Sequence, residues 1–331
     1  MRPLKVIVGA LLASALLAGA CGRGRSSNEF HVAMIPKGTT HEFWKSIHAG
    51  AIRAVRELET KGVNVRLAWK GPLREDDREQ QIQVVEGFLS EGVDGLVLAP
   101  LDARALVRPV DEARRAGIPT VIIDSDLASD DTVSFVATDN YEGGVLAADR
   151  LGMLLEGKGT VLLLRYQEGS ASTEARERGF VERVTQKYPD IELISSDQHA
   201  GPTRDTAKRA SENLLNRFGQ GLDGVFTVNE NSTHGMLLAL QDLGRAGRVK
   251  FIGFDASETF VQAMSRDQLH GIVLQDPFEM GYRGVTTMVA HLQGEEVSRR
   301  IDTGVTLVTA ENVETPESQA LLNPPIDEYL R

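Results

Sequence analysis

Several short stretches of this chain place charged, amide and aromatic side chains directly after apolar runs. HVAMI (31–35) is followed by Lys37, His41, Phe43 and Trp44; PTVIID (119–124) ends on Asp124; DGVFTV (223–228) leads to Asn229 and Glu230; VKFIGF (249–254) is followed by Asp255; HGIVLQ (270–275) ends on Gln275. These groups supply donors, acceptors and flat rings, the equipment for holding a polar molecule. The arrangements that make and break bonds are missing. His41 and His48 are seven residues apart, so the HExxH spacing of a zinc hydrolase is absent, and no GxSxG, GxGxxG or GxxxxGK[ST] motif occurs. DSDLASDDTVSF (124–135) begins like a calcium loop, but Ser129 stands where that loop needs Gly and Phe135 where it needs Glu. No metal, no cofactor and no nucleophile with its base is expected. Asp124 and Asp255 as the two carboxylates of a sugar hydrolase are the only enzyme reading left, and it has no further support.

The elements that must position these residues alternate. Besides the runs above, VNVRLAW (63–69), DGLVLAP (94–100), SFVAT (134–138), GTVLLLR (159–165) and IELISS (191–196) read as strands, separated by helical patterns. In the first helix Trp44, Ile47, Ala51, Ala54, Val55 and Leu58 recur at helical spacing and would face a sheet. Strands alternating with helices of this length imply parallel sheets covered on both faces, an α/β doubly wound architecture. About four such units precede residue 130 and about four follow residue 159, which makes two similar lobes. A last helix (277–294) and a strand-like VTLVTA (305–310) are too little for a third. Ligands of such sheets bind beyond the carboxyl ends of the strands, so two lobes place one site in the cleft between them.

Composition narrows the partners. The 331 residues are 41% hydrophobic and carry a formal net charge of −11; without a sustained Lys/Arg run, a nucleic acid partner is not expected. The single Cys excludes an internal disulfide. It follows basic Arg2 and Lys5, an apolar run from Val6 to Leu17 and the small residues Ala18, Gly19 and Ala20. This is the pattern of a secretory signal (1–20). Small residues directly before Cys21 resemble a bacterial lipobox, with Ala18 where Leu is commoner; the resemblance implies cleavage before Cys21, acylation of Cys21 as a lipid anchor, and a flexible tether over 21–29. An ordinary secreted protein is the alternative.

THEFW (40–44), VIID (121–124), ATDNYEGG (137–144), STEARERGF (172–180), VFTVNE (225–230), GFD (253–255) and LQDP (274–277) occur in one order and spacing. As a set, over about residues 31–310, they resemble the ribose-type periplasmic sugar-binding proteins of ABC transporters. The resemblance implies a type I periplasmic-binding fold: two lobes, 31–138 plus 276–304 and 139–275 plus 305–331, joined by three hinge crossovers near 138, 275 and 304. It also implies ligand contacts from Lys37, His41, Phe43, Trp44, Asp124, Arg176, Asn229, Phe254, Asp255 and Gln275. Sugar rings have apolar C–H faces and polar edges, so a flat ring beneath and acceptors around the rim suit them. Ser125, Ala99, Pro202 and Lys37 depart from the ribose pattern, so the implied ligand is a monosaccharide, polyol or related polar small molecule. The implied partner is an ABC permease, with the protein a monomer in the periplasm or at the cell surface, held to the membrane by its lipid.

Competing structural roles stand beside these. Phe43 and Trp44 fit a core; Thr39 and Glu42 have capping-box spacing; Asp139 and Asn140 suit a helix cap at the hinge; Arg176 fits an ion pair with a helical carboxylate; Lys37 fits a solvated position at the cleft mouth. A sensor docking on a membrane kinase or chemoreceptor would share this pocket. A LacI-type repressor would carry a helix-turn-helix domain where the signal sequence stands.

Overall fold

A computed structural model describes residues 28–330; the signal sequence and Cys21 lie outside the described residues. Two six-stranded sheets carry the chain. The first holds β1 (Glu29–Ile35), β2 (Asn64–Trp69), β3 (Gly95–Leu98), β4 (Thr120–Ile123), β5 (Ser134–Ala137) and β11 (Arg300–Asp302) in the order β11-β5-β4-β3-β1-β2. The second holds β6 (Lys158–Arg165), β7 (Asp190–His199), β8 (Gly224–Thr227), β9 (Lys250–Phe254), β10 (Gly271–Leu274) and β12 (Thr306–Val308) in the order β12-β10-β9-β8-β6-β7. Every pairing is parallel except β10 with β12. The chain therefore passes between sheets three times, after β5, after β10 and between β11 and β12.

Buried β-branched and aliphatic runs explain the strands. Val32 to Ile35, Leu96 to Leu98 and Val121 to Ile123 are all but inaccessible, as expected of strands covered on both faces by helices. In the first sheet, one face packs Val32, Met34, Val97 and Val121 against Trp44, Ile47, Ala51 and Ala54 of α1 (Glu42–Thr60) and against Val285 and Met288 of α9 (Pro277–Leu292). The opposite face packs Ala33, Ile35, Leu96 and Ile122 against α2 (Arg78–Glu91) and α3 (Val107–Arg115).

The second sheet repeats this plan. Ala147, Ala148 and Leu151 of α4 (Asn140–Leu154) and Phe180 and Val184 of α5 (Ala171–Lys187) cover one face. Three more helices cover the other: α6 (Arg204–Phe218), α7 (Glu230–Asp242) and α8 (Glu258–Ser265).

Close helix approach sets where the site residues lie. A Cβ on Gly144 of α4 would stand 2.0 Å from the carbonyl oxygen of Arg176, and one on Gly179 of α5 would stand 2.1 Å from that of Tyr141. Only glycine permits this contact, and it fixes the helix that carries Arg176. The pair α1 and α9 uses the same device at Gly50 and Gly281.

The far end of the chain departs from the expected partition. Leu321 and Leu322 of α10 (Pro316–Leu322) pack on the core of the second sheet. Helix α11 (Ile326–Tyr329), placed with the second lobe by the 305–331 assignment, lies instead on the first. Arg56 of α1 donates to the carbonyls of Glu328 and Tyr329 at 3.1 and 3.4 Å, and Tyr329 sits 5.7 Å from the Phe278 ring. Aromatic and guanidinium surface of the first lobe captures the tail, which thus straps one lobe to the other.

Candidate functional site

Residues from both lobes line one cleft: Lys37, His41, Phe43, Trp44, Asp124, Arg176, Asn229, Asp255 and Gln275 among the expected ones, with Glu75, Tyr166, Ser170, Ser172, Thr173, Glu230 and Asn231 beside them. The lobes touch across it. Lys37 Nζ donates to Ser172 Oγ at 3.2 Å, the Ser172 amide donates to Ser125 Oγ at 3.1 Å, and Tyr166 OH donates to Glu75 Oε2 at 2.6 Å.

Two carboxylates occupy matching places in the two sheets. Asp124 follows β4 and its amide donates to Val136 of β5; Asp255 follows β9 and its amide donates to Val273 of β10. Both have left-handed backbones, φ 62° and 71°. A non-glycine residue there costs about 1–3 kcal/mol and such strain concentrates at functional sites. Their surroundings differ. Asp124 is neutralised by Lys37 at 2.8 Å, and Lys37 is 5% exposed, so it is no solvated mouth residue. Asp255 accepts from Gln275 Nε2 at 2.7 Å and from the Glu230 amide at 3.0 Å. Burial pushes its carboxyl above the ordinary value, while Arg176, Gln275 and the Glu230 amide pull the other way.

Arg176 is wholly enclosed. Its Nε donates to Asn140 Oδ1 and its Nη1 to the Val228 carbonyl, both at 2.8 Å, and its guanidinium lies 3.8 Å from the centroid of Phe254. Burial lowers its pKa, with the Asp255 and Asp124 charges opposing. The ion pair with a helical carboxylate is therefore not its role; the neighbouring Glu177 turns to Arg165. Phe254, expected as a second ligand ring, does not line the cleft. It is fully buried against Val273 and Phe226, because consecutive residues of a strand face opposite sides. Arg176 covers it, so it acts as a platform for the guanidinium.

The aromatic pair is shared between core and cleft. Trp44 is buried and meets Phe43 edge-on at 5.0 Å. Its Nε1 donates to Glu75 Oε1 at 2.6 Å. His41 Nδ1 is 3.2 Å from the same oxygen. His41 is itself the N-cap residue of α1 and makes no side-chain cap bond, so the Thr39–Glu42 capping box does not form; Thr39 bonds weakly to the Pro72 carbonyl instead. Burial would raise the Glu75 carboxyl, but the hydrogen bond and charge of His41, with bonds from Tyr166 and Trp44, outweigh it and hold Glu75 at about 2. Burial lowers His41, and the Glu75 bond and charge more than restore it, leaving it above its ordinary value.

Asn229 lines the cleft but spends its Oδ1 on the Ser232 amide, capping α7. Asp139 caps α4 as expected, whereas Asn140 does not cap; it ties Arg176 to the carbonyls of Asp124 and Thr138 at the first crossover. Three buried polar atoms of cleft residues have no hydrogen-bond partner among the described residues: Ser170 Oγ, Asn231 Oδ1 and Gln275 Oε1. Such atoms are rare in folded proteins and call for a partner. A polyhydroxylated solute supplies both donors and acceptors. No group of three potential metal ligands occurs among the described residues.

The fold and cleft define a two-lobed solute-binding protein, built to enclose a small polar molecule. Comparisons place it within that class. Residues 32–296 match the periplasmic binding protein domain family, and the chain belongs to it, as an extracytoplasmic binding component of the ribose-binding type from ABC-type sugar transport, not an enzyme. It is 30% identical over 258 residues to the xylitol-binding protein of Mycolicibacterium smegmatis, covering 77% of this chain and 71% of that one. It is also 30% identical over 268 residues to the D-allose-binding periplasmic protein of Escherichia coli, covering 78% and 83%. A carbohydrate transporter solute-binding protein of Agrobacterium radiobacter, solved with D-arabinose, superposes with a TM-score of 0.84 at 33% identity over 90% of this chain and 100% of that one.

Proposed function

We propose that this protein captures a neutral sugar or polyol in the cleft and presents it, lobes closed, to an ABC permease. The observation that carries the reading is the charge of the site. Four carboxylates, of Glu75, Asp124, Glu230 and Asp255, line the cleft with the cations of Lys37 and Arg176; Arg204 answers Glu230 at 2.5 Å and His41 answers Glu75. Every cation but Arg176 already has a carboxylate partner, and Arg176 faces the charges of Asp255 and Asp124. The four carboxylates and four cations balance, so an anionic ligand would meet no surplus positive charge, whereas hydroxyls donate to the carboxylates and accept from Arg176. The relatives named for xylitol, D-allose and D-arabinose support the same class.

A matched pair tests this. In competitive titration, a hexose that binds should do so at least ~10-fold more tightly than its uronic acid, about 1.4 kcal/mol. Tighter binding of the acid, abolished by Lys37→Ala, would overturn the neutral-ligand reading.

Ligand contacts reaching both lobes would favour the closed arrangement over an open one, since a ligand shifts the equilibrium by its differential affinity for the two. The lipid anchor belongs to the same proposal. If Cys21 is acylated, Cys21→Ala moves the protein from the membrane fraction to the soluble fraction with ligand binding intact. Equal membrane recovery of the variant would remove the anchor.

A further inference from the structure

A second and roomier cavity adjoins the cleft. It measures about 370 Å³ against about 40 Å³ for the cleft between the touching lobes, within the ~300–1,000 Å³ typical of ligand sites. Phe43, Glu230, Asp255 and Gln275 line both cavities, so the two share a wall. The roof of the second is the tail that straps the lobes together: Leu321, Leu322, Pro324 and Ile326. Its other walls carry the polar Glu42, Ser46, Arg204, Ser257 and Glu258 beside the apolar Phe43, Ala256 and Pro277.

Two of its residues carry unanswered polar atoms. Ser46 is 2% exposed and its Oγ has no hydrogen-bond partner among the described residues; Gln275 is 4% exposed and its Oε1 has none. A wholly apolar occupant would leave both unsatisfied, which is costly for buried polar atoms. A wholly polar one would waste the Leu321, Leu322 and Ile326 surface. Apolar surface set beside polar groups in this way matches the face and edges of a sugar ring.

We propose that this chamber is a second sugar subsite, so that the protein accepts a disaccharide with one ring in the cleft and the other beneath the C-terminal strap. The inference rests on the sugar reading of the cleft. Asp255 and Gln275, lining both cavities, stand where the two rings join. The strap sets how large a ligand the protein takes.

The test is calorimetric titration of the protein with a panel of aldoses and polyols alongside disaccharides built from those aldoses. At least one disaccharide should bind ~10-fold or more tightly than either constituent. Ile326→Trp, which fills the chamber from the strap, should remove that advantage while leaving monosaccharide affinity within about twofold. Ser46→Ala, a change that spares the packing, should reduce the disaccharide advantage alone. Monosaccharides that bind with no disaccharide exceeding them, or an advantage that survives both substitutions, would overturn the subsite and leave the cleft reading standing. No binding by any member of the panel would overturn both.

Discussion

Asp255→Ala should bind ligand at least ~100-fold more weakly than the wild type while remaining folded. Asp124 is matched by Lys37 at 2.8 Å, but among the described residues no cation is in direct contact with Asp255; it is held by the amide groups of Gln275 and Glu230. Its oxygens thus keep acceptor capacity for ligand hydroxyls, in a site where burial has already raised the cost of its charge. Hydrogen bonds to a charged group are worth about 1.5–3 kcal/mol each, and two of them lost correspond to at least ~100-fold at about 1.4 kcal/mol per decade. The left-handed backbone at φ 71° adds a second effect. Alanine tolerates this region less well than aspartate, so the β9 edge is expected to relax and move the Glu230 amide. Asp255→Asn keeps shape and backbone preference and isolates the charge; it should fall between. Calorimetry on variants with native circular dichroism decides the matter. Near-wild-type affinity in a folded Asp255→Ala would place the residue outside the binding surface.

The two carboxylates also explain why so much was legible in the sequence. Strands buried on both faces leave continuous aliphatic runs, and the first polar residue after such a run has to stand at the sheet's carboxyl edge. Asp124, Asp255 and Gln275 follow this rule directly. Tyr166 does not follow it, since Arg165 closes the aliphatic run of β6 and Tyr166 stands one residue beyond, yet it lines the same cleft. Phe254 was misplaced because a residue one position earlier on a strand faces the other side. Glu75 gave no signal: in REDDRE (74–79) it is one of four carboxylates, and only the folded loop turns it inward while Arg74 and Asp76 pair at the surface. Strand β11 was missed because Arg300–Asp302 offers a single apolar side chain at a partly exposed edge. The final helix was misassigned for a related reason, since its four residues are placed by Arg56 and Phe278, far away in sequence.

Asymmetry between the lobes follows from these late-found residues. The first lobe contributes a carboxylate, Glu75, that gathers His41 and Trp44 from the start of α1. The second contributes Tyr166, whose hydroxyl reaches the same carboxylate, and Gln167, whose amide donates to the Glu75 carbonyl at 2.9 Å. One residue therefore orders the aromatic floor of the cleft and joins the lobes. Opening the cleft must break the Tyr166 and Gln167 bonds but leaves the His41 and Trp44 bonds intact, so Glu75 serves closure and folding through different partners.

Glu75→Gln should expose both roles, and their pH dependence separates them. In the wild type Glu75 is held at about 2 against an ordinary 4.5. A depressed carboxylate contributes stability that is present above its unfolded pKa and is lost as pH falls through its folded one, here between about 4.5 and 2. Holding the carboxyl at about 2 rather than 4.5 corresponds to roughly 3 kcal/mol. His41 works in the opposite sense. Its raised pKa contributes stability below about 6.5 that fades as pH rises through the folded value. The wild type should therefore exceed Glu75→Gln in urea stability by a few kcal/mol near pH 6, by somewhat less at pH 8, and by little at pH 2.5, where the wild-type carboxyl is partly protonated. Glutamine keeps one oxygen, to accept from Trp44, and sets its NH2 against the Tyr166 hydroxyl, which must then accept, so the pH dependence of the difference rather than its size reports the charge. Ligand affinity should fall at least ~10-fold at pH 7, because the Tyr166 bond that joins the lobes loses its charged acceptor. Tyr166→Phe should reproduce the affinity loss with only part of the acid-limb change, since His41 and Trp44 still hold the Glu75 carboxylate. A stability gap that stays constant from pH 2.5 to 8 would show that the Glu75 charge is not what binds this part of the structure together.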